Sequence, residues 1–552
     1  MSKKVLLSGD VDAIKDFVFE TASLPQVRGG SELLLECEKA IQEDLQKKHG
    51  YQVIYCGGGS FLLEVDANKA EGVKRAIERL YLETTGGATV TIVYEDTSFA
   101  EKETAAPLED GWAARLVKAS QEATRASDFA RRTAFLTARM QEAKAHKTSA
   151  PFYETFPFGK RCDRCGKRMA AYFDRVEENK VLCPVCHLRD RQGRERKGTI
   201  HEREVRGRFN QEFWQAYGSG WTAHQPEDLD TLLRTAGRKY LAFLYADGND
   251  IGRLLQRVSS EKDYQGLSQA LEEGTKQAVY EAIQAVCGEA LKEKAPWPFE
   301  IVNIGGDDVT LLMQAGYAWE VAVEFLERFE QEVNRRVRRA LGDSWPEEWP
   351  ERITAACGIA IADVKYPMRY FERLAGDLCK EAKRLAKEDP SHPKSAATFL
   401  WLPSPIASES VEPLMSFYSR HPTGDLPCEL TARPYTLEQA KGMMEASREI
   451  ATWPRTLRHR WAEALEQGVM TSVNTIHYDM ARRTGEKGLE MYQTLMRIGK
   501  LVVSGGNHTN IPAPIWYPVQ KQGETVWRTA LLDALELAEL EAMRPEVEEE
   551  AE

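Results

Sequence analysis

The sequence lacks several features, and each absence excludes a class of protein. Its 552 residues contain no run near the ~20 consecutive apolar residues of a membrane-spanning helix, so we expect no membrane partner. The first residues, MSKKVLLSGDVDAIKDF, lack the long apolar core and the small-residue cleavage site of a signal peptide. A composition of 42% hydrophobic and 29% charged residues excludes a disordered or collagen-like chain. We therefore expect a cytoplasmic protein of about three to five folded domains.

Positive charge is in the minority. The 73 Lys and Arg residues face 85 Asp and Glu residues, which gives a formal net charge of −12. A protein that coats nucleic acid by itself is usually basic, so we expect any contact with nucleic acid to be local. One local exception is the segment 160–208, where 15 basic residues outnumber 8 acidic ones. This segment either faces RNA or forms an ordinary solvated surface, and the chain ends in a predicted acidic tail.

Cysteine is sparse outside one segment. Six of the ten cysteines lie scattered, mostly in apolar runs, and are predicted to be small buried residues: Cys37, Cys56, Cys287, Cys357, Cys379 and Cys428. The other four form C-x2-C, a gap of 17 residues and a second C-x2-C: Cys162, Cys165, Cys183 and Cys186. This spacing delivers four thiolates tetrahedrally and predicts a closed, structural Zn²⁺ site, a zinc knuckle. A disulfide role fits a cytoplasmic protein poorly, and His187 is an alternative zinc ligand.

Hydrophobic periodicity predicts one order of elements twice. VLLSGD reads as a strand, a loop contains Arg28-Gly29-Gly30, a helix runs from Ser31 to Gly50, and YQVIYCGGGSFLLEV reads as a hairpin. A further helix and strand complete the order β-α-β-β-α-β, which returns between KYLAFLYADGNDIG and RITAACGIAIADV. This is the order of a ferredoxin-like sheet, the palm of many polymerases and nucleotidyl cyclases. We interpret the repeat as an internal duplication.

The predicted fold class is therefore α+β, with two ferredoxin-like palm domains, helical domains and a four-cysteine zinc knuckle. The predicted domains are a first, degenerate palm (1–104), a helical domain that carries the knuckle at 162–186 (105–235), a second, catalytic palm (236–405) and a C-terminal helical domain with the acidic tail (406–552).

The most specific chemical pattern is Gly305-Gly306-Asp307-Asp308 on the apolar hairpin of the second palm, with Asp247 at the end of an earlier apolar strand. Carboxylates on adjacent strands supply the oxygen ligands that Mg²⁺ (or Mn²⁺) requires. Two such ions can activate a hydroxyl and hold a leaving pyrophosphate. We therefore predict Asp247, Asp307 and Asp308 as the metal ligands and catalytic residues of a nucleotidyltransferase.

Neighbouring residues are predicted to bind the nucleotide. Gly305 and Gly306 form a tight turn that lets a triphosphate approach the backbone, and Gly248 exposes a carbonyl and amides near the metals. Lys383, on the helix after the last palm strand, is a candidate for neutralising a phosphate. The alternative for Lys383 is a solvated surface lysine.

The first palm differs at the same positions. Asp10 corresponds to Asp247, but the hairpin turn reads Gly57-Gly58-Gly59-Ser60 and has no paired carboxylates, so it cannot hold two metals. We predict a catalytically silent palm in which Gly58, Ser60 and the region of Ser31 bind a second nucleotide. A purely scaffolding role is the alternative.

Taken together, the motifs resemble those of a known family, the large palm-domain subunit of type III CRISPR effector complexes. The resemblance covers nearly the whole chain and rests on GDVDAIKDFVF, VRGGSE, GGGSF, the four-cysteine knuckle, LYADGNDIG, IGGDDV and CGIAIADVKYPMRYFERLAGDLCKEAK. It implies conversion of ATP to cyclic oligoadenylates with 3′–5′ linkages, triggered when the guide-RNA complex binds target RNA. It also implies other type III subunits as partners, and it assigns the catalytic carboxylates to Asp247, Asp307 and Asp308.

One departure from the family concerns a nuclease. Many members begin with an HD-type metallohydrolase domain, whereas this sequence starts on the first palm and none of its ten histidines is followed by an aspartate. We therefore expect no DNase activity from this subunit.

Two other functions stay open. A diguanylate-cyclase-like enzyme would use GTP, but that family has Glu-Phe where this sequence has Asp308-Val309. A non-catalytic scaffold would only organise guide RNA and partner subunits, and the intact carboxylates argue against it.

Overall fold

The structure is a computed structural model that describes most of the chain. The described residues are 3–95, 127–147, 156, 158–174, 179–194, 199–200, 203–345, 349, 352–389, 392–404, 406, 408, 410–421, 426–483, 486–502, 515–521 and 523–545. Two predictions lie outside them, the helical character of residues 105–126 and the acidic end at residues 546–552. Among the described helices, none combines the length and apolarity that crossing a membrane requires.

The first palm is a four-stranded antiparallel sheet with the strand order β2-β3-β1-β4. Its strands are β1 (Lys4–Val11), β2 (Gln52–Gly57), β3 (Ser60–Asp66) and β4 (Val90–Tyr94), and its helices are α1 (Ile14–Val18), α2 (Leu24–Ala40), α3 (Gln46–His49) and α4 (Ala70–Thr85). Helix α4 buries Val73, Ile77 and Tyr81 at helical spacing. The predicted ferredoxin-like order is confirmed.

The segment after the first palm is mainly helical where it is described. It contains α5 (Asp128–Ala145), β5 (Tyr172–Phe173), β6 (Val181–Leu182), α6 (Pro184–Arg194), β7 (Thr199–Ile200), β8 (Arg203–Glu204), α7 (Arg208–Tyr217) and α8 (Leu229–Leu232). Leu136 of α5 packs with Leu6 and Leu62 on one face of the first sheet. Helices α2 and α4 cover the opposite face, where Leu7 and Leu63 lie.

The second palm repeats this arrangement in a larger sheet. Its strands are β9 (Tyr240–Gly248), β10 (Phe299–Gly305), β11 (Asp308–Gln314), β12 (Ala355–Asp363), β13 (Ala396–Trp401) and β16 (Tyr435–Thr436), and its helices are α9 (Ile251–Arg257), α10 (Glu261–Cys287), α11 (Ala315–Leu341) and α12 (Met368–Ala386). The sheet order begins β10-β11-β9-β12, which matches β2-β3-β1-β4 of the first palm strand for strand. This match supports the predicted internal duplication.

The C-terminal region is helical with a small sheet. It contains α13 (Val411–Ser419), β14 (Arg420–His421), β15 (Cys428–Glu429), α14 (Leu437–Ala451), α15 (Arg455–Glu466), α16 (Val469–Ala481), α17 (Glu486–Val502), β17 (Tyr517–Lys521), β18 (Glu524–Arg528) and α18 (Leu531–Glu541). Helices α14 and α18 pack against α11, so this region shares one hydrophobic core with the second palm. The domain boundaries at 235 and 405 therefore stay predictions.

The four cysteines of the knuckle converge. Their sulfur atoms all lie within 4.8 Å of one another, and the sulfurs of Cys165 and Cys183 are 3.9 Å apart. A tetrahedral Zn²⁺ with Zn–S bonds of ~2.3 Å would place its sulfurs ~3.8 Å apart, so the cluster fits this ion. The ring of His187 stacks on the ring of Tyr172, with 4.2 Å between their centroids, and is not part of the cluster. The candidate ligands are therefore the four cysteines, Cys162 and Cys186 included. The six scattered cysteines are buried, as predicted.

Part of the predicted basic surface points inwards. Arg168, Arg189 and Lys167 all form ion pairs with Glu20 of the first palm, at 2.9, 2.7 and 3.2 Å. Burial raises the pKa of Glu20, but these three cations outweigh burial and hold that pKa below its usual value. These side chains therefore attach the knuckle to the palm. Neither predicted role of the basic segment applies to Arg168 and Arg189, which are largely buried, whereas the Lys167 side chain is 54% exposed.

The prediction of a loop at Arg28-Gly29-Gly30 was wrong, because these residues lie inside α2. The glycines mark a close helix crossing. A Cβ atom on Gly29 would lie 1.9 Å from the carbonyl oxygen of Arg189, and one on Gly193 would lie 1.7 Å from that of Pro25. Glycine is therefore needed here so that α2 and α6 can touch backbone to backbone.

Arg28 itself joins the two palms. Its guanidinium donates to both carboxylate oxygens of Glu300 on β10, at 2.6 and 2.8 Å, and both side chains are almost completely buried. Glu300 also accepts hydrogen bonds from Asn210 and Gln225, at 3.1 and 3.2 Å. The Glu300 carboxylate is therefore compensated by the bidentate guanidinium and by two further hydrogen-bond donors.

We expect Glu300→Ala to lower the free energy of unfolding by about 3–5 kcal/mol, because Arg28 would stay buried without its counter-charge. Urea and thermal unfolding of the variant and the wild type measure this loss. The matched control is Glu289→Ala, whose side chain is 77% exposed, and which should cost less than about 0.5 kcal/mol. Equal losses in the two variants would contradict a joining role for the pair.

We expect the purified protein to hold one Zn²⁺ per chain and to lose thermal stability when a chelator removes it, because metal binding is coupled to folding. Elemental analysis and thermal unfolding measure both effects. Cys183→Ser should lower the zinc content, whereas Cys357→Ser, outside the cluster, should keep it. A protein that is equally stable after complete zinc removal would contradict a structural role.

Candidate active site

The ends of adjacent strands bring the three predicted carboxylates together. Gly305 pairs with Asp308 across the β10–β11 turn, and Val309 pairs with Ala246 of β9. The next pair in this antiparallel register places Asp308 beside Asp247, the penultimate residue of β9. One edge of the second sheet therefore carries Asp247, Asp307 and Asp308 within a single turn and strand end.

Two glycines make room for this cluster. Gly306 adopts a positive φ of 64°, which the tight turn needs. A Cβ atom on Gly248 would lie 2.8 Å from Oδ2 of Asp307, so only glycine lets the Asp307 side chain lie against β9. The sequence predicted that Gly248 exposes backbone groups near the metals. It did not predict that Gly248 provides the space for the Asp307 side chain.

Lys383 reaches the cluster from α12. Its ammonium donates to Oδ2 of Asp247 and to the carbonyl oxygen of Gly248, the latter at 2.9 Å. Burial lowers the pKa of Lys383, but the charge and hydrogen bond of Asp247 outweigh burial and raise it overall. Lys383 is therefore a fixed cation at the carboxylate cluster and not a solvated surface lysine.

The other two carboxylates are under-compensated. Burial, followed by the charge of Asp247, raises the pKa of Asp308 to about 7. Burial and the charges of Asp247 and Asp308 raise the pKa of Asp307 well above its ordinary value. Protein atoms largely enclose both carboxyl groups. The two cations that act on Asp308, Lys15 and Lys383, cannot neutralise all three carboxylates of the cluster. A divalent cation would remove this conflict, so the donor set fits Mg²⁺ or Mn²⁺.

The glycine turn of the first palm touches this edge. A Cβ atom on Gly58 would lie 3.1 Å from the carbonyl carbon of Gly305, and one on Gly305 would lie 2.9 Å from Cα of Gly58. Ser60 and Gly58 line a cavity of ≈ 210 Å³ together with Asp247, Asp307 and Asp308. The two hairpins therefore meet tip to tip beside the carboxylates.

A second cavity lies between the palms. It measures ≈ 470 Å³, and its walls include Asp10, Ser31, Gly58, Lys144 and Asp308. The hydroxyl of Ser31 donates to the carbonyl oxygen of Val302 at 2.7 Å, so this residue also ties α2 to β10. The structure thus places Gly58, Ser60 and Ser31 at the interface of the palms, and their predicted contact with a second nucleotide stays a prediction.

Several residues at this interface were not predicted. Lys144 of α5 forms an ion pair of 2.5 Å with Asp10, the first-palm counterpart of Asp247. Lys15 of α1 lies 3.4 Å above the ring of Tyr245. Glu38 accepts a hydrogen bond of 2.6 Å from the backbone N–H of Gly59, and burial raises its pKa to about 7. These contacts join elements far apart in sequence, and no local pattern signals them.

One family model of known proteins matches the second palm. Residues 240–390 match a family model described as Cas10/Cmr2, second palm domain. Comparison with curated proteins finds no match.

One solved structure shares this fold at low sequence identity, and two others align with lower scores. A Csm1-Csm4 cassette in complex with cA3 aligns at 13% identity and a TM-score of 0.50, over 98% of this chain and 70% of that one. Csm1 of T. onnurineus aligns at 14% identity and a TM-score of 0.47, with coverages of 98% and 70%. A cassette in complex with AMPPNP aligns at 16% identity and 0.41, and this chain spans 53% of it.

Across several of the matched cassettes, this chain therefore spans only about half of the other chain's length. The match over residues 240–390 nevertheless includes Asp247, Asp307 and Asp308. Residues 240–390 are thus similar to the second palm domain of Cas10/Cmr2, which confirms the predicted resemblance for this palm.

Proposed function

We propose that this protein is the large palm subunit of an RNA-guided type III CRISPR complex and converts ATP to cyclic oligoadenylates when target RNA is bound. One observation carries the proposal: three carboxylates converge at the strand ends of one palm, against a carboxylate-free glycine turn of its duplicate. That asymmetry suits a pair of nucleotides, one reacting at its triphosphate and one offering a hydroxyl. The fold shared with a cassette described in complex with cA3 supports an adenine nucleotide as substrate.

Asp247, Asp307 and Asp308 would hold the divalent ions. When bound, Mg²⁺ or Mn²⁺ supplies activation of the attacking hydroxyl and neutralisation of the phosphates. The protein itself holds these carboxylates at strand ends and restricts their side-chain rotamers. Gly248 leaves the space in which the Asp307 side chain lies against β9, and Lys383 holds Asp247 through a hydrogen bond.

The two glycine turns would position the nucleotides. Gly305 and Gly306 lack side chains, so a triphosphate can approach the backbone at the metal edge. Gly58, Ser60 and Ser31 line the cavities on the opposite side. A partner nucleotide held there would direct its 3′-hydroxyl towards the α-phosphate of the first for in-line attack.

The proposed partners are guide RNA, target RNA and other type III subunits. The net charge of −12 indicates that RNA contacts this chain only locally. Three residues of the basic segment are already paired with Glu20, so fewer cations remain for RNA than the sequence alone suggests.

We expect the double variant Asp307→Ala/Asp308→Ala to lose oligoadenylate synthesis by about 100-fold or more, because removal of even outer-shell metal partners costs 10–100-fold. The measurement is product analysis from labelled ATP with Mg²⁺, using the protein in its native complex with and without target RNA. Glu289→Ala is the matched exposed control and should keep wild-type synthesis.

The same assay separates the alternatives. Absence of products from a wild-type complex that still binds target RNA would support the scaffold. Products from GTP but not ATP would support the diguanylate-cyclase-like enzyme. Products that persist in the double variant would contradict the assignment of the carboxylates.

We also expect Mg²⁺ to raise the melting temperature more at pH about 8 than at pH about 6. Folding raises the pKa of both Asp307 and Asp308, and that of Asp308 to about 7, so in metal-free protein these groups stabilise the fold at low pH. Asp308 loses this stabilisation as the pH rises through about 7, and Asp307 loses its own as the pH rises through its raised pKa. Protons therefore compete with the ion at the lower pH. Thermal unfolding with and without MgCl₂ measures this, and Asp308→Asn should reduce the Mg²⁺ effect. An equal Mg²⁺ shift at both pH values would contradict the prediction.

A further inference from the structure

Helix α5 occupies on the first palm the place that α12 occupies on the second. Helix α5 packs on β4 and β1, whereas α12 packs on β12 and β9, the corresponding pair of strands. In both palms this helix lies on the sheet face opposite the two helices of the ferredoxin-like motif. The duplication therefore extends to a helix that sequence reasoning did not pair with α12.

The equivalence of α5 and α12 includes one lysine side chain on each helix. Near the C-terminal end of α12, Lys383 donates to Asp247 at the end of β9. Near the C-terminal end of α5, Lys144 donates to Asp10 near the end of β1, at 2.5 Å. Asp10 and Asp247 occupy matching positions, so each palm presents one lysine on one strand-end aspartate.

Lys144 differs from its neighbour Lys147, which also reaches a first-palm aspartate. Lys147 donates to Asp12, to the carbonyl oxygen of Val90 at 3.1 Å and to Oγ1 of Thr91 at 3.2 Å. These three acceptors fix the end of α5 on the sheet. The pair of Lys144 and Asp10 is more open, with the two side chains 35% and 39% exposed, and both residues line the ≈ 470 Å³ cavity between the palms.

The charge balance of this cavity favours such a role. Its described walls carry five acidic residues against three basic ones, Lys15, Lys144 and Arg373; the acidic residues are Asp10, Asp16, Glu38, Asp308 and Glu372. A nucleotide phosphate entering it would be repelled unless a lysine or arginine faced it. Lys15 is already placed over Tyr245 and 3.7 Å from Glu372. Lys144 has three ammonium protons and donates to Asp10, so donors are left for an oxyanion.

We propose that Lys144 is the phosphate-binding lysine of the first palm and contacts a phosphate oxygen of the nucleotide held in this cavity. Asp10 holds the ammonium in place until the phosphate arrives. The inference rests on the proposed function for the presence of a second nucleotide, and it adds the residue that recognises it.

The test is equilibrium binding of a non-hydrolysable ATP analogue to the protein in its complex, by calorimetry. We expect two sites in the wild type, and in Lys144→Ala one of them weakened by about 10-fold or more, the size expected for a hydrogen bond to a charged group. Lys144→Arg should restore most of this binding. Asp10→Asn should bind several-fold more tightly, because it frees Lys144 and removes a negative charge.

A structural ion pair would behave differently. If the pair only stabilised the fold, Lys144→Ala and Asp10→Asn would lower the melting temperature and weaken binding together, which would overturn the proposal. Unchanged binding in Lys144→Ala, or a single site in the wild type, would also overturn it. Lys69→Ala, an exposed first-palm lysine whose contacts are Asp66 and a carbonyl oxygen, is the control and should match the wild type.

The outcome is distinguishable from failure of the proposed function. Loss of one binding site in Lys144→Ala supports the inference even if the wild type makes no oligoadenylates. Synthesis by Lys144→Ala with an unchanged KM for ATP would overturn the inference and leave the function standing. We expect instead a raised KM with kcat largely kept, because Lys144 touches no reacting atom.

Discussion

The buried pair of Arg28 and Glu300 is the constraint on which the site depends. It fixes a helix of the first palm to the strand that leads into the Gly305-Gly306 turn, and Asn210 and Gln225 bind the same carboxylate from the segment between the palms. Ser31, one helical turn further along α2, adds a hydrogen bond to β10. Because an unpaired buried charge is costly, this pair opposes separation of the two palms, between which both cavities lie.

The zinc knuckle extends the same constraint. The backbone contact at Gly29 and Gly193 places α6 on α2, and the arginines of the knuckle neutralise Glu20. The knuckle therefore supports the helix that carries Arg28. The four-cysteine cluster, the helix crossing and the ion pairs form one chain of contacts that ends at the carboxylate edge.

Sequence reasoning predicted what depends on short-range patterns. The two hairpins, the strand order, the cysteine cluster and the proximity of Asp247 to Asp307 and Asp308 all follow from periodicity, turn residues and ligand spacing. It failed where glycine serves packing and not a turn, as at Arg28-Gly29-Gly30, which lies inside a helix. It could not foresee Lys144 beside Asp10, because these residues are 134 positions apart and only the fold joins them.

The contact between Gly58 and Gly305 has a consequence for how a duplicated protein can diverge. The two turns differ in their carboxylates, since Ser60 stands in the first palm where Asp308 stands in the second. Neither turn could gain a side chain at the point of contact, since a Cβ atom on either glycine would press against the other's backbone. Each half thus restricts the substitutions open to its copy, because the same contact requires glycine at Gly58 in the first palm and at Gly305 in the second.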